Sequence, residues 1–269
     1  MSIPEFFFFL YCLFFHPARK VTVHPMIREA SGIAESKAYP GNLWVQEDSG
    51  QPPLLYLLKH DGQVLRSVLL QGAENRDWED LVLAGGFLYI GDIGDNMKQF
   101  SEYSFYRLQE PSATADTVKQ YQTIRFRYPD GAHNAEAFLV DPRTRDIFIL
   151  TKTDNPSRIY KLAYPYSFSV LNTATLVGEL PYKGVVSAAL SPDGRDILVK
   201  TYLELLHYHR PPGASIGDAL REDYTSVPYL PEMQGEAVTF SLSGRGFYTL
   251  SEKAYSRKVK LRRQELPAR

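Results

Sequence analysis

A single cysteine, Cys12, in 269 residues rules out a disulfide within the chain, a thiolate metal cluster and a dithiol redox pair. Neither sign of charge is in excess. The 30 Lys and Arg against 31 Asp and Glu leave a net charge of -1, so no global field draws the chain to nucleic acid or to an anionic membrane. The longest apolar run, Phe6 to Phe15, has ten residues, whereas a bilayer span needs about 20. Helical periodicity of useful length is also missing. The chain consists instead of short segments rich in Val, Ile, Leu, Tyr and Phe, separated by turn residues, which reads as all-β.

The apolar run has the length of a signal-peptide core, but Glu5 precedes it, no Lys or Arg does, and no small-x-small cleavage site follows. A degraded or cleavable export signal fits, and so does a mis-assigned start or an unstructured apolar tail. The first reading implies a periplasmic or extracellular protein and the second leaves a cytoplasmic one open. Residues 1–19 are therefore set apart from a single domain over residues 20–269.

Within that domain, 44% hydrophobic content suffices for a substantial core, and a weak repeat organises it. Copies start with SGIAES at Ser31, WEDLVL at Trp78, AEAFLV at Ala135, VSAALS at Val186 and GEAVTF at Gly235, at intervals of 47, 57, 51 and 49 residues. A period near 50 residues built from short strands predicts a five-bladed β-propeller, with an open β-sandwich as the alternative. The last copy supplies three strands, GEAVTFSLSG, GFYTLSEKA and RKVKLRRQEL. The segment KVTVHP offers the fourth, so Val21 to His24 are expected to join the last blade and close the ring. The basic stretch Arg257, Lys258, Lys260, Arg262 and Arg263 alternates with Val259 and Leu261, and without interleaved aromatics it reads as a solvated outer edge rather than a nucleic-acid surface.

The motifs DWED, GDIGDN and NAEA, with SGIAES, LWVQEDSG and FRYPDGAHNAEAFLVDP, resemble an uncharacterised group of bacterial β-propeller proteins, often exported. The resemblance covers most of the first three blades. More distantly, the architecture is similar to calcium-dependent phytase-like and esterase-like propellers, whose acidic channels hold metal ions. It implies a propeller and not a particular reaction.

The repeat also locates a site. Residues equivalent by repeat meet around the propeller axis, and Glu79, Glu136 and Glu236 share one register, with Ser31 and Ser187 in the other two copies. Second strands end near the same mouth, bringing Glu47, Asp48, Asp92, Asp95, Asn96, Lys152, Asp154, Lys200, Tyr202, Glu252 and Lys253. With Asp77, Asp80 and Asn134 the mouth is strongly acidic. Like charges so close raise one another's pKa unless a cation is bound. Ca²⁺ takes six to eight oxygen ligands, whereas Zn²⁺ prefers nitrogen or sulfur, so a divalent cation, Ca²⁺ first, is expected on Glu79, Asp92, Asp95, Asn96, Glu136 and Glu236. Gly91 and Gly94 in GDIGDN are expected to allow a tight turn there. The same polar residues could instead cap strands and form Asx turns.

Lys152, Lys200, Tyr202, Glu252 and Asn134 are candidate ligand-binding residues. Two lysines beside metal could hold an anionic group, or could simply neutralise carboxylates. Glu79, Glu136 or Glu236 could act as general base toward water, in a metal-assisted phosphoester or ester hydrolysis. No nucleophile stands out. Ser31 and Ser49 lack a GxSxG elbow, His207 and His209 share a strand face without a third ligand, and His133 is expected near the rim in a loop hydrogen bond. Two classes of function follow: a hydrolase or metal-assisted ligand site, and a non-enzymatic scaffold recognising a protein, glycan or small ligand. The partner is a small ligand or protein at the channel mouth, with no nucleic acid and no membrane span, and the chain is expected to be a monomer.

Overall fold

The computed structural model describes residues 19–112, 114–229, 231–232, 234–253 and 258–266. The apolar run with Cys12, and Arg257 of the basic stretch, lie outside the described residues. Five sheets, antiparallel apart from one short added strand in each of two, follow one another along the chain, which makes a five-bladed β-propeller. Their innermost strands are Ala30–Glu35, Trp78–Ala84, Ala135–Val140, Val185–Leu190 and Gly235–Phe240. Each is followed by strands of increasing distance from the axis, in blade one Asn42–Glu47, Leu54–Lys59 and Val64–Leu70.

The reason for this arrangement is visible in the core. Both faces of the inner strands are buried, and the apolar side chains sort into five clusters, each shared by two adjacent blades: one with two, two with three, three with four, four with five, and five with one. A blade therefore cannot bury its faces alone. Trp44, Trp78, Phe105, Phe138, Tyr160, Tyr208 and Phe247 fill the interfaces as fully buried side chains.

The ring closes as expected, with a small shift. Arg19–Thr22 pairs antiparallel with Lys260–Glu265, matching Val21 with Leu261, and the contact runs on through the Val23 amide to the Val259 carbonyl at 3.1 Å. The basic strand Lys260–Glu265 is thus covered on both sides rather than an edge, because Arg19–Thr22 lies outside it. Two features go beyond the repeat. Thr117–Val118 adds in parallel to Val64–Leu70 of blade one, and Asn172–Thr173 adds in parallel to Gln122–Arg127 of blade two, so long connections become interblade ties. The connection from Pro211 carries a short helix, Ile216–Ala219, capped by the Ser215 side chain on the Asp218 amide at 3.0 Å. Among the described residues no helix is long and apolar enough to cross a membrane.

Candidate functional site

Every inner strand has a bulge near its start. Pairing skips from Ala30 to Gly32, Trp78 to Leu81, Ala135 to Ala137, Val185 to Ser187 and Gly235 to Ala237. A bulged residue loses its ladder partner and its side chain is re-aimed. The bulges hold Ser31, Glu79 with Asp80, Glu136, Val186 and Glu236, all facing the channel start. The fourth blade corrects the sequence register: Val186, not Ser187, is equivalent to the three glutamates. Ser187 sits one position deeper, level with Asp80.

At that deeper level three blades are tied to one another. Asp80 is fully buried and accepts from the Leu81 amide (2.9 Å), the Ala188 amide (3.2 Å) and the Ser187 hydroxyl (3.1 Å), while Ser187 Oγ accepts from the Val238 amide at 3.1 Å. Asp80 is a tie across the axis, and burial pushes its carboxyl well above the usual range.

Above it, acidic groups converge. Asp48, Asp77 and Glu79 bring one oxygen each within 4.8 Å of one another, and Asp48, Glu236 and Glu252 do the same. Asp48 belongs to both groups. Ser31 Oγ donates to Glu79 Oε2 at 3.4 Å, Gln234 Nε2 donates to Glu252 Oε2 at 3.2 Å, and Tyr202 donates its hydroxyl to Glu236 Oε1. Glu136 is ion-paired through Oε1 with Lys152, whose ammonium also donates to Tyr202 at 3.1 Å. Glu136 Oε2 is buried with no hydrogen-bond partner among the described residues.

The electrostatics follow from burial first and crowding second. Burial, with the neighbouring carboxylates, pushes Asp48 up to about 7, Glu136 to about 8 and Glu252 to about 9, and raises Asp77 and Glu79. Burial pulls the Lys152 ammonium down, but the Glu136 carboxylate outweighs it and holds Lys152 above its ordinary value. Among the described residues only the Lys152 ammonium forms an ion pair with one of these six carboxyl groups, while Arg76 acts on Asp77 and Lys200 on Glu236 through the field alone. Gly94 permits the crowding: a Cβ there would lie 2.2 Å from Glu79 Oε1 and 2.4 Å from Asp77 Oδ2. Neither Gly91 nor Gly94 has the positive φ that a tight turn demands, so close approach is their use; a Cβ on Gly91 would meet the Phe138 ring at 3.0 Å.

The remaining sequence candidates have structural partners. Asp95 accepts from the Gln99 and Phe100 amides and the Tyr103 hydroxyl, each at 2.9 Å, which makes it the cap of its own loop. Asp92 accepts from the Asp77 amide at 2.8 Å and is pushed up to about 6, chiefly by burial. Buried Asn134 accepts from the Asp95 amide at 2.7 Å and donates to exposed Asn96 at 3.2 Å. Glu47 accepts from the Arg28 amide at 2.7 Å and the Tyr56 hydroxyl at 2.9 Å. Lys200 is fully buried between blades four and five, donating to the Gly235 and Thr201 carbonyls over the Tyr229 ring, and burial lowers it to about 8. His133 lies between Asp154 (2.7 Å) and Tyr160 (2.9 Å), and His207 is 2.8 Å from Asp196. Asp48 and Asp77 are the centre of the cluster, although the motif pattern favoured GDIGDN. Their signal was their place beside the bulges, Asp77 two residues before Glu79 and Asp48 at a second-strand end.

No family profile and no curated protein matches this chain. The likeness to solved structures is one of architecture. A chain of a nidogen/laminin complex is 11% identical over 86% of this chain and 74% of that one, with a TM-score of 0.51. Hydrazine synthase of Kuenenia stuttgartiensis is 12% identical over 86% and 70%, with a TM-score of 0.44, and the Dos1 propeller is 10% identical over 83% and 53%, with a TM-score of 0.43. At such identities the likeness shows the fold alone.

Proposed function

We propose that this propeller binds a divalent cation, Ca²⁺ first, at the acidic mouth of its channel, and that the cation together with Lys152 and Tyr202 holds a small polar ligand. The observation that carries the reading is the pair of carboxylate groups sharing Asp48, with Glu136 Oε2 buried beside them and unpartnered among the described residues. Asp48, Asp77, Glu79, Glu236 and Glu252 offer only oxygen, the donor set that suits a hard cation and not Zn²⁺. The resemblance of the DWED, GDIGDN and NAEA motifs to exported bacterial propellers agrees with an exported, Ca²⁺-rich setting. A metal-assisted ester or phosphoester hydrolysis at this mouth would use Glu136 as the base toward water.

Calorimetric titration of the EDTA-treated protein with Ca²⁺, Mg²⁺ and Mn²⁺ tests the cation: saturable binding lost in Asp48→Asn supports it, and no binding of any of the three removes it. A panel of phosphoesters and carboxyl esters compared with Glu136→Gln then tests hydrolysis. A second reading, recognition of a protein at the same mouth, is favoured by Met97 and Leu203, which stand 78% and 73% exposed on the loops that follow two second strands.

A further inference from the structure

The crevice between blades five and one holds a cavity of about 230 Å³ lined by Arg19, Val21, His60, Tyr248, Leu261 and Arg263. It lies at the opposite end of the propeller from the acidic mouth. Glu35, the last residue of its inner strand, marks that end, with Oε1 3.2 Å from His60 Nε2 and accepting from the Tyr248 hydroxyl at 3.4 Å. One wall is built by register. Tyr248 is paired with Arg263 and Arg263 with Arg19 across three neighbouring strands, so the three stand in a row. Val21 and Leu261, paired two positions along, share the same face and supply an apolar floor.

The other wall is the blade-one hairpin, seated closely on the N-terminal strand. The Gly62 carbonyl accepts from the His24 amide at 2.9 Å, and a Cβ on Gly62, whose φ is +89°, would meet the Thr22 carbonyl oxygen at 2.2 Å. This seating places the His60 ring 4.7 Å from the Tyr248 ring.

Like charges directly opposite across antiparallel strands disfavour the pairing. Arg19 makes no ion pair among the described residues, and Arg263 reaches Glu265 at 2.6 Å with both side chains about two-fifths exposed (41% and 39%). Glu35 is taken up by His60 and Tyr248, whose hydroxyl also lies 3.3 Å from His60 Nδ1, and Glu265 pairs with Arg263, so the two guanidinium groups side by side have one carboxylate between them among the described residues. A carboxylate is satisfied by one guanidinium fork, whereas a phosphate presents three terminal oxygens that can use the forks of two neighbouring guanidinium groups.

We propose that this crevice binds a phosphate dianion, free or carried on a small organic group, between Arg19 and Arg263, with the organic part lying on Val21 and Leu261. The test is calorimetric titration with inorganic phosphate and with phenyl phosphate, at constant ionic strength and with EDTA present so that cations at the acidic mouth play no part. One-to-one binding is expected, weakened at least tenfold in Arg19→Gln and in Arg263→Gln and unchanged in Lys20→Gln, whose side chain projects from the opposite strand face. Tighter binding of phenyl phosphate identifies an ester as the ligand; equal binding identifies the free anion. The exposed position of Arg19 makes Arg19→Gln a variant that folds, checked by its circular dichroism. Absence of saturable binding in the unaltered protein, or undiminished binding in Arg19→Gln and Arg263→Gln, overturns the proposal.

Discussion

Asp80 of the second blade accepts a hydrogen bond from Ser187 of the fourth at 3.1 Å, across the propeller axis. Its carboxylate also takes the Ala188 and Leu81 amides, so three buried donors depend on one side chain. An unsatisfied buried donor costs about 1–3 kcal/mol. Asp80→Ala is expected to destabilise by about 3–5 kcal/mol on this count. Ser187→Ala leaves the Val238 amide and one carboxylate lone pair unpaired and is expected to cost about 1–2 kcal/mol. Urea unfolding of both variants measures the difference; equal, small losses would show that the axis is not held by Asp80.

Cation binding should be read most sharply at Asp48, because it serves both carboxylate groups. A ligand at a hundred times its dissociation constant stabilises by about 2.7 kcal/mol. For a chain of this size that corresponds to a rise in Tm of about 5–10 °C. Thermal melts with and without Ca²⁺ should show the rise in the unaltered protein, little of it in Asp48→Asn, and most of it in Asp95→Asn, since Asp95 is occupied as a loop cap.

The cation-free protein should lose stability as pH rises. Asp48, Glu136 and Glu252 titrate near 7, 8 and 9 when folded, above the ordinary 3.8 to 4.5 of the unfolded chain, so the folded state holds more protons between those limits. Stability then falls from about pH 4.5 upward and levels off once the folded groups have ionised, near pH 9. Melts in EDTA from pH 5 to pH 9 should show a declining Tm, and saturating Ca²⁺ should flatten or reverse the decline. A Tm rising through that range without metal would mean that the cluster is already compensated.

Lys152 and Glu136 should show coupling that depends on pH. Lys152→Met removes the one ammonium paired with Glu136, at an expected cost of about 2 kcal/mol after allowance for partial exposure of the lysine. The cost should be full at pH 9 and shrink at pH 5, where Glu136 takes up a proton instead. Adding Glu136→Gln should recover most of the loss, measured as a double-mutant cycle by chemical unfolding.

Much of the fold was legible because a strand repeat near 50 residues has few solutions, and a fifth unit one strand short asks for a partner from elsewhere in the chain. The register of Glu79, Glu136 and Glu236 was legible for the same reason. The fourth blade was misread by one residue because a serine matched Ser31 in chemistry, while the bulge that defines equivalence holds Val186. Within GDIGDN the residue types suited a cation, but Asp95 is claimed by the Gln99 and Phe100 amides of its own loop, a local competition that composition does not reveal.

By itself the sequence determined the number of blades, the closure of the ring and the acidic character of one mouth, because these depend on strand period and residue type. Tertiary structure alone decided that Asp48 is shared, that Asp80 is a tie rather than a ligand, that Lys200 is buried between blades, and that Arg19, Arg263 and Tyr248 stand in one row. Each of these depends on which side chains two different blades or strands bring within a few ångströms, and that distance is set by interblade packing rather than by position along the chain.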